Sequence, residues 1–254
     1  MTPSTVPEFF RRLWRLPEAP QQRGRKSTLD VEAVVGTAIR LADDGGLEAA
    51  TLPAVAEELN VTAMSLYRHI GSKHELLLLM MDAASKPPAS VSPLTDWREG
   101  LRQWAHDLWA LYQDRPWLPR VPIYRPPSGP HQVAWLERGF AQLASTRLAW
   151  NQQLTALTLL SGFVRHSALL QHELEEGREP GQAKSESEHE YGAALHHVIS
   201  EERFPYTSSM LAADTLGTDS LPDDGLDQDF TDGLEIILDG LAAQIAAAPD
   251  PPSR

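Results

Sequence analysis

Between Thr51 and Lys73 the chain carries side chains suited to gripping a polyanion and reading the edges of base pairs. Thr62, Ala63, Met64 and Ser65 open a short segment, TAMSLYRHI, and are small or flexible enough for close approach to a surface. A hydroxyl can meet any base edge, and Ala63 or Met64 can meet a thymine methyl group. Arg68, further along, can serve a base or a phosphate. Thr51, at the start of the preceding segment TLPAVAEELN, can offer its hydroxyl and nearby N–H groups to a phosphate. TAMSLYRHI holds no Asn, Gln or Glu, so direct base readout by paired hydrogen bonds is sparse. More weight then falls on shape and on the basic stretch RGRK, which contains Arg23, Arg25 and Lys26.

Other chemistries find less support. The chain has no cysteine, which excludes disulfides, thiolate metal sites and cysteine nucleophiles and suits a reducing cytoplasm. No G-x-S-x-G, H-E-x-x-H, P-loop or dinucleotide fingerprint occurs, so no catalytic constellation is expected. His189, His196 and His197 fall at i, i+7 and i+8, too far apart for the convergence that zinc needs. No metal and no cofactor are expected. The opening MTPSTVPEFFRRLWRLPEAP is broken by prolines and arginines, so it reads as neither a secretory signal nor a membrane span. The formal net charge of -13 runs against a DNA-binding role, but its distribution is uneven. Arg11, Arg12, Arg15, Arg23, Arg25 and Lys26 crowd the start, whereas the acidic surplus lies in Gly177–Glu190 and Asp214–Asp229. That asymmetry fits one phosphate-facing region on an otherwise anionic protein.

The elements that must position these residues are helical throughout. LDVEAVVGTAIRLADDGG has apolar residues at helical spacing, with Asp30 as N-cap and Gly45-Gly46 as stop. Thr51 caps the next helix, with Pro53 in its first turn. Asn60-Val61 makes a minimal turn, Thr62 caps TAMSLYRHI, and Gly71 ends it. Ser72 and Glu75 form an S-x-x-E capping box ahead of a further helix to about Ala84. This succession matches a helix-turn-helix from about Thr51 to Ile70. Beyond it, DWREGLRQWAHDLWALYQ, HQVAWLERGFAQLASTR, NQQLTALTLLSGFVRHSALLQHEL, HEYGAALHHVISE and FTDGLEIILDGLAAQIAAA read as helices, and no strand pattern appears. The proline-rich stretch RPWLPRVPIYRPPSGP is a loop or a distorted helix. The expected fold is all-α. Residues 1–26 form a flexible basic arm, although FFRRLWRL can make a short helix, and 27–86 form the helix-turn-helix domain. Residues 94–248 form a larger helical ligand-binding and dimerisation domain, and 249–254 a disordered tail.

The segment LDVEAVVGTAIRLADDGGLEAATLPAVAEELNVTAMSLYRHIGSKHELLLLMMDA resembles the N-terminal domain of the tetracycline-repressor (TetR) family. TLPAVAEELNV leading into SLYRHIGSKHELL carries that resemblance, with an aromatic, a basic residue and a serine-lysine step at the family's spacing. The remainder is similar to the family's ligand domain in helix order and length. The resemblance implies a cytoplasmic transcription regulator that binds double-stranded operator DNA. It also implies that Tyr67, His69 and Lys73 lie near the phosphate backbone, and that Arg23, Arg25 and Lys26 precede the first helix as a minor-groove arm. Family dimers pair two helices per subunit, here about Asn151 to Leu174 and Phe230 to Ala247, which suits their apolar character. The expected form is therefore a homodimer on a palindromic operator.

The resemblance also implies a small-molecule effector. Trp104, Trp109, Tyr112, Trp135, Phe163 and His166, with Thr158 and Arg165 as polar options, are candidates to line an apolar or aromatic site. Aromatics at helical spacing are more often packed core than pocket lining, which would fit a regulator controlled by a partner or by its own abundance. Family sensors of magnesium-tetracycline use a histidine after the fifth helix; none stands between Asp107 and Pro130, so that ligand is not expected. Repression released by a ligand is the expected mode.

Overall fold

Helix α2 (Val31–Gly45) forms because its ends and its face agree. Asp30 accepts the Ala33 N–H at 2.8 Å, Val34, Val35, Ala38 and Ala42 turn inward, and Gly46 leaves the helix at φ 77°. The computed structural model describes residues 6–17, 29–89, 96–179, 181–213 and 225–248. The expected arm residues Arg23, Arg25 and Lys26 and the tail 249–254 lie outside the described residues. Among the described residues the structure is all helix and turn, without a strand. The chain divides into two compact units, Met1–Ala168 with Leu238–Arg254, and Leu169–Ile237.

In the first unit, α3 (Leu52–Glu58) starts behind Thr51, whose hydroxyl accepts the Ala54 N–H at 3.3 Å. α4 (Ala63–Ile70) and α5 (Lys73–Ala84) follow. Leu66 and Ile70 of α4 are fully buried, and α5 buries Leu76, Leu77, Leu78, Leu79 and Met80 in succession. A helix buried at five consecutive positions is enclosed around its circumference, so α5 is the central rod of this core. The core does not stop at the end of α5. Trp117, Leu118 and Val121, from the proline-rich stretch, join the same cluster, and the Trp117 indole N–H donates to Asp43 at 2.6 Å. That stretch contains a 3-10 turn at Leu118–Arg120.

The N-terminal segment differs from the expected flexible arm. Residues Glu8–Leu13 form a helix, α1, that buries Phe9 and Leu13 in the core of α2 to α5. The arginines of this segment are paired: Arg12 with Glu8 and Glu75, Arg15 with Glu32, while Arg11 donates to the Pro17 carbonyl. Two large apolar side chains buried in a shared core outweigh the disorder that the charge run suggests.

α6 (Trp97–Asp114), α7 (Pro130–Leu143) and the start of α8 (Trp150–Glu176) complete the unit with the end of α11 (Gly225–Ala247). α6 buries Leu101, Trp104, Ala105, Leu108 and Trp109. Gly139 of α7 lets Leu157 of α8 approach, since a Cβ there would sit 2.8 Å from Leu157 Cδ1. The second unit holds the end of α8, α9 (Lys184–Val198), α10 (Pro205–Ala212) and the start of α11, with His172, Leu211, Phe230 and Leu234 buried. No helix among the described residues is long and apolar enough to cross a membrane.

Candidate nucleic-acid interface and its link to the larger domain

The turn between α3 and α4 is closed by backbone bonds from Asn60 N–H to Glu57 O (3.0 Å) and from Val61 N–H to Ala56 O (2.9 Å). Asn60 takes φ 52°, a left-handed conformation that asparagine tolerates better than most residues. With Leu66 and Ile70 inward, the helical period places Met64 and Arg68 at the centre of the opposite face. Both are exposed, Met64 by 72%. Tyr67 is exposed at one edge of that face, with Ala63 and Ser65 half-buried nearby and His69 half-buried. Thr51, Thr62 and Lys73, at the starts of α3, α4 and α5, are also exposed.

Two capping arrangements differ from those expected. Thr62 occupies the N-cap position, but its hydroxyl does not cap the backbone. It lies 2.9 Å from the Ser65 hydroxyl, which itself donates to the Thr62 carbonyl at 2.7 Å. At the head of α5, Ser72 accepts the Glu75 N–H at 3.1 Å, but the reciprocal half of the box is missing. The Ser72 N–H bonds to Ile70 O, and the Glu75 carboxylate accepts from Arg12 instead. A full guanidinium charge outcompetes a backbone N–H for that carboxylate.

The larger domain separates the residues grouped as candidate ligand contacts. Trp104 and Trp135 are buried together, edge to face with centroids 5.7 Å apart. Their indole N–H groups donate to Trp135 O (2.9 Å) and Ser85 O (2.7 Å) respectively. Arg138 lies 5.1 Å over the Trp135 ring and pairs with Asp107 at 2.5 Å. Trp109 is buried, and Tyr112 and Phe163 are partly so. Burial pushes the Tyr112 phenol above its usual pKa, and the nearby Arg165 cation opposes that shift. Arg165 donates to the carbonyls of Pro119 and Val121 at 2.8 and 2.7 Å, holding the proline-rich stretch against α8. Thr158 and His166 lie apart, exposed on the outer face of α8, and the Thr158 hydroxyl donates to Leu154 O at 2.8 Å. Leu154, Leu159 (59%) and Leu170 are exposed on that helix too, as is Ile236 (72%) of α11.

A polar joint that the sequence reading passed over ties the DNA-facing half to the larger domain. Asp82, near the end of α5, is only 4% exposed. Its Oδ1 accepts the N–H groups of His131 (3.0 Å) and Gln132 (3.1 Å) in the first turn of α7. The N-cap of α7 is Gly129, which has no side chain to perform this task, so the cap comes from another helix. A Cβ on Gly129 would overlap the Asp82 carboxylate, which explains the glycine. Gln132 returns the favour, accepting the Ser128 and Gly129 N–H groups at 3.1 and 3.3 Å, and His131 Nδ1 lies 2.8 Å from Asp82 O. Burial raises the Asp82 pKa above its usual value, against the pull of the Gln132 and His131 N–H groups and of the His131 charge. The only signal in the sequence was an aspartate inside the apolar run LLLLMMDAA.

Two family models cover most of the chain. Residues 34–80 match "Bacterial regulatory proteins, tetR family" and residues 91–245 match "Tetracyclin repressor-like, C-terminal domain". The chain belongs to the TetR family. TetR proteins are transcription regulators, and the helix-turn-helix at Thr51–Ile70 is this one's DNA-binding element. Among curated relatives, the HTH-type transcriptional repressor DrrR1 of Streptomyces coeruleorubidus is 34% identical over 239 residues, 92% of this chain and 84% of that protein. The HTH-type transcriptional repressor Rv1353c of Mycobacterium tuberculosis is 25% identical over 231 residues, covering 86% and 82%. The TetR protein ActR of Streptomyces coelicolor, in complex with actinorhodin, superposes with a TM-score of 0.70 at 28% identity. That match covers 86% of this chain and 99% of ActR.

Proposed function

We propose that this TetR protein is a homodimeric repressor that binds a palindromic operator and is released from it by a small, largely apolar or aromatic ligand. The Asp82 joint carries this reading. α5 begins directly after the recognition helix and ends as the cap of α7, so a ligand that moves α7 pulls on the rod that positions α4. About 1–3 kcal/mol of coupling is typical of such linkage. The family supplies the precedent, since ActR is described with actinorhodin bound.

At the operator, Met64 and Arg68 face the major groove and Ser65 reads one base edge. Thr51, Thr62, Tyr67, His69 and Lys73 hold phosphates, with Ala63 in apolar contact. Arg23, Arg25 and Lys26 add a minor-groove contact. Leu154 and Leu159, exposed on α8 in the first unit, belong to the dimer face, since apolar side chains of this kind are costly to leave in water. Trp104, Trp109, Tyr112, Trp135 and Phe163 border the ligand, whereas Thr158 and His166 belong with the dimer face. A second reading has a specific observation in its favour: both indole N–H groups of Trp104 and Trp135 are satisfied internally, as in a core that admits no ligand. Control by a partner or by abundance would then replace the effector.

Selection of bound sequences from a random duplex library, at stated salt, tests the proposal. A palindrome should be enriched, and aromatic compounds that quench tryptophan fluorescence should then lower affinity for it. Enrichment of no palindrome overturns the repressor reading, and binding of such compounds without loss of operator affinity overturns the ligand control.

A further inference from the structure

Helix α1 lies outside residues 34–80, the part matched to the DNA-binding family model, yet it is built into that domain. Phe9 and Leu13 are buried in the same core as α2 to α5. Arg12, with a side chain only 17% exposed, donates through Nη1 to Glu75 at 2.6 Å and through Nη2 to Glu8 at 2.5 Å. The Arg12–Glu75 pair covers Gly71, the residue at φ 76° that turns the chain from α4 into α5. A Cβ on Gly71 would fall 2.7 Å from Arg12 Nη1, so the pair is seated on the backbone of that turn. Phe9 and Trp14, the residue that follows α1, also meet the segment that leads into α7. The Trp14 indole N–H donates to Ser128 O at 2.8 Å, and the Arg125 guanidinium lies 4.9 Å over the Phe9 ring.

We propose that α1 is a strap that sets the angle of the recognition helix, with Arg12 as a positioning residue for DNA binding. Through Trp14 and Phe9 it also passes displacement of residues 125–128 to the turn at Gly71, by a route that shares Ser128 with the Asp82 joint but bypasses Asp82 and the length of α5. Two links between the same bodies resist relative rotation better than one, because each removes a freedom that the other leaves. The proposal rests on α4 being the recognition helix.

The test uses the full-length protein and the sequence that it selects from a random library, with the active fraction of each variant set by stoichiometric titration. Arg12→Gln and Glu75→Gln should each weaken operator binding about tenfold, the scale of one charge-assisted hydrogen bond. The double variant should be no weaker than either single one, and Arg12→Lys should recover part of the loss. Amide hydrogen exchange without DNA should quicken at residues 70–75 in Arg12→Gln and in Trp14→Phe. Unchanged affinity in Arg12→Gln, or additive losses in the double variant, would overturn the positioning role. Faster exchange in Trp14→Phe that is confined to the neighbours of Trp14 and Ser128 would overturn the strap. If Arg12→Gln fails to fold, Glu75→Gln and Trp14→Phe carry both arms. Failure of the wild-type chain to select any DNA would refute the regulator reading instead, and the exchange measurements would still decide the strap.

Discussion

Replacing Asp82 with alanine removes the acceptor of two part-buried N–H groups at the start of α7 and leaves both donors without it. A hydrogen bond to a charged group contributes about 1.5–3 kcal/mol, and stranding a buried donor costs a similar amount. Burial of the carboxylate, which raises its pKa in spite of these bonds, cancels the charge-assisted part of that gain, so the stranded donors set the cost. A net destabilisation of about 2–4 kcal/mol results. For a chain of this size that is about 5–15 °C in Tm. Asp82→Asn keeps an oxygen in place for both N–H groups and should cost less than about 1 kcal/mol. The two are separated by urea denaturation followed by circular dichroism. The pH dependence has a definite sign. Because the folded pKa lies above the unfolded one, the stability that Asp82 contributes is fully present at low pH and is lost as pH rises through the folded pKa. Wild type should therefore gain on the non-titrating Asp82→Asn as pH falls through that window. Equal losses in the alanine and asparagine variants, or an alanine variant within about 0.5 kcal/mol of wild type, would refute the trans-capping role.

Gly129→Ala should destabilise comparably, since its Cβ overlaps the Asp82 carboxylate; the same denaturation series checks it. Leu159→Glu on the outer face of α8 should give monomers in sedimentation analysis while the helical signal is retained, as the residue is exposed within the subunit. Tyr67→Ala or Lys73→Ala should weaken binding to all sequences similarly, and Lys73→Ala should also reduce its salt dependence, whereas Ser65→Ala should alter the preferred base at one position of the selected site. Because burial raises the Tyr112 pKa, the phenol should ionise above the usual range in an alkaline titration read against Tyr112→Phe. The stability it contributes should be lost as pH rises through that higher value.

Much of the DNA end was legible because its signals are local. Asp30 and Thr51 cap as their types suggest, Gly46 and Gly71 stop helices at positive φ, and Leu66 and Ile70 turn inward at helical spacing. Each is decided by residues a few positions apart. Thr62 and Glu75 departed from local expectation because stronger partners reached them, a neighbouring hydroxyl in one case and Arg12 in the other. The larger domain was legible as helices but not as a site. Spacing groups Thr158 and His166 with the tryptophans, whereas the packing of α8 sends them to its outer face.

The sequence alone therefore determined the all-helical class, the helix-turn-helix and the side chains it displays, since capping and periodicity act within a few turns of chain. Only the tertiary structure decided what the basic N-terminus does. Whether Arg12 faces solvent or Glu75 depends on Phe9 and Leu13 finding a core, and that core is made by helices far along the chain. The same holds for Asp82, whose partners lie 49 and 50 residues away. A buried carboxylate persists only where the fold delivers donors to it, and no local pattern announces where they will be.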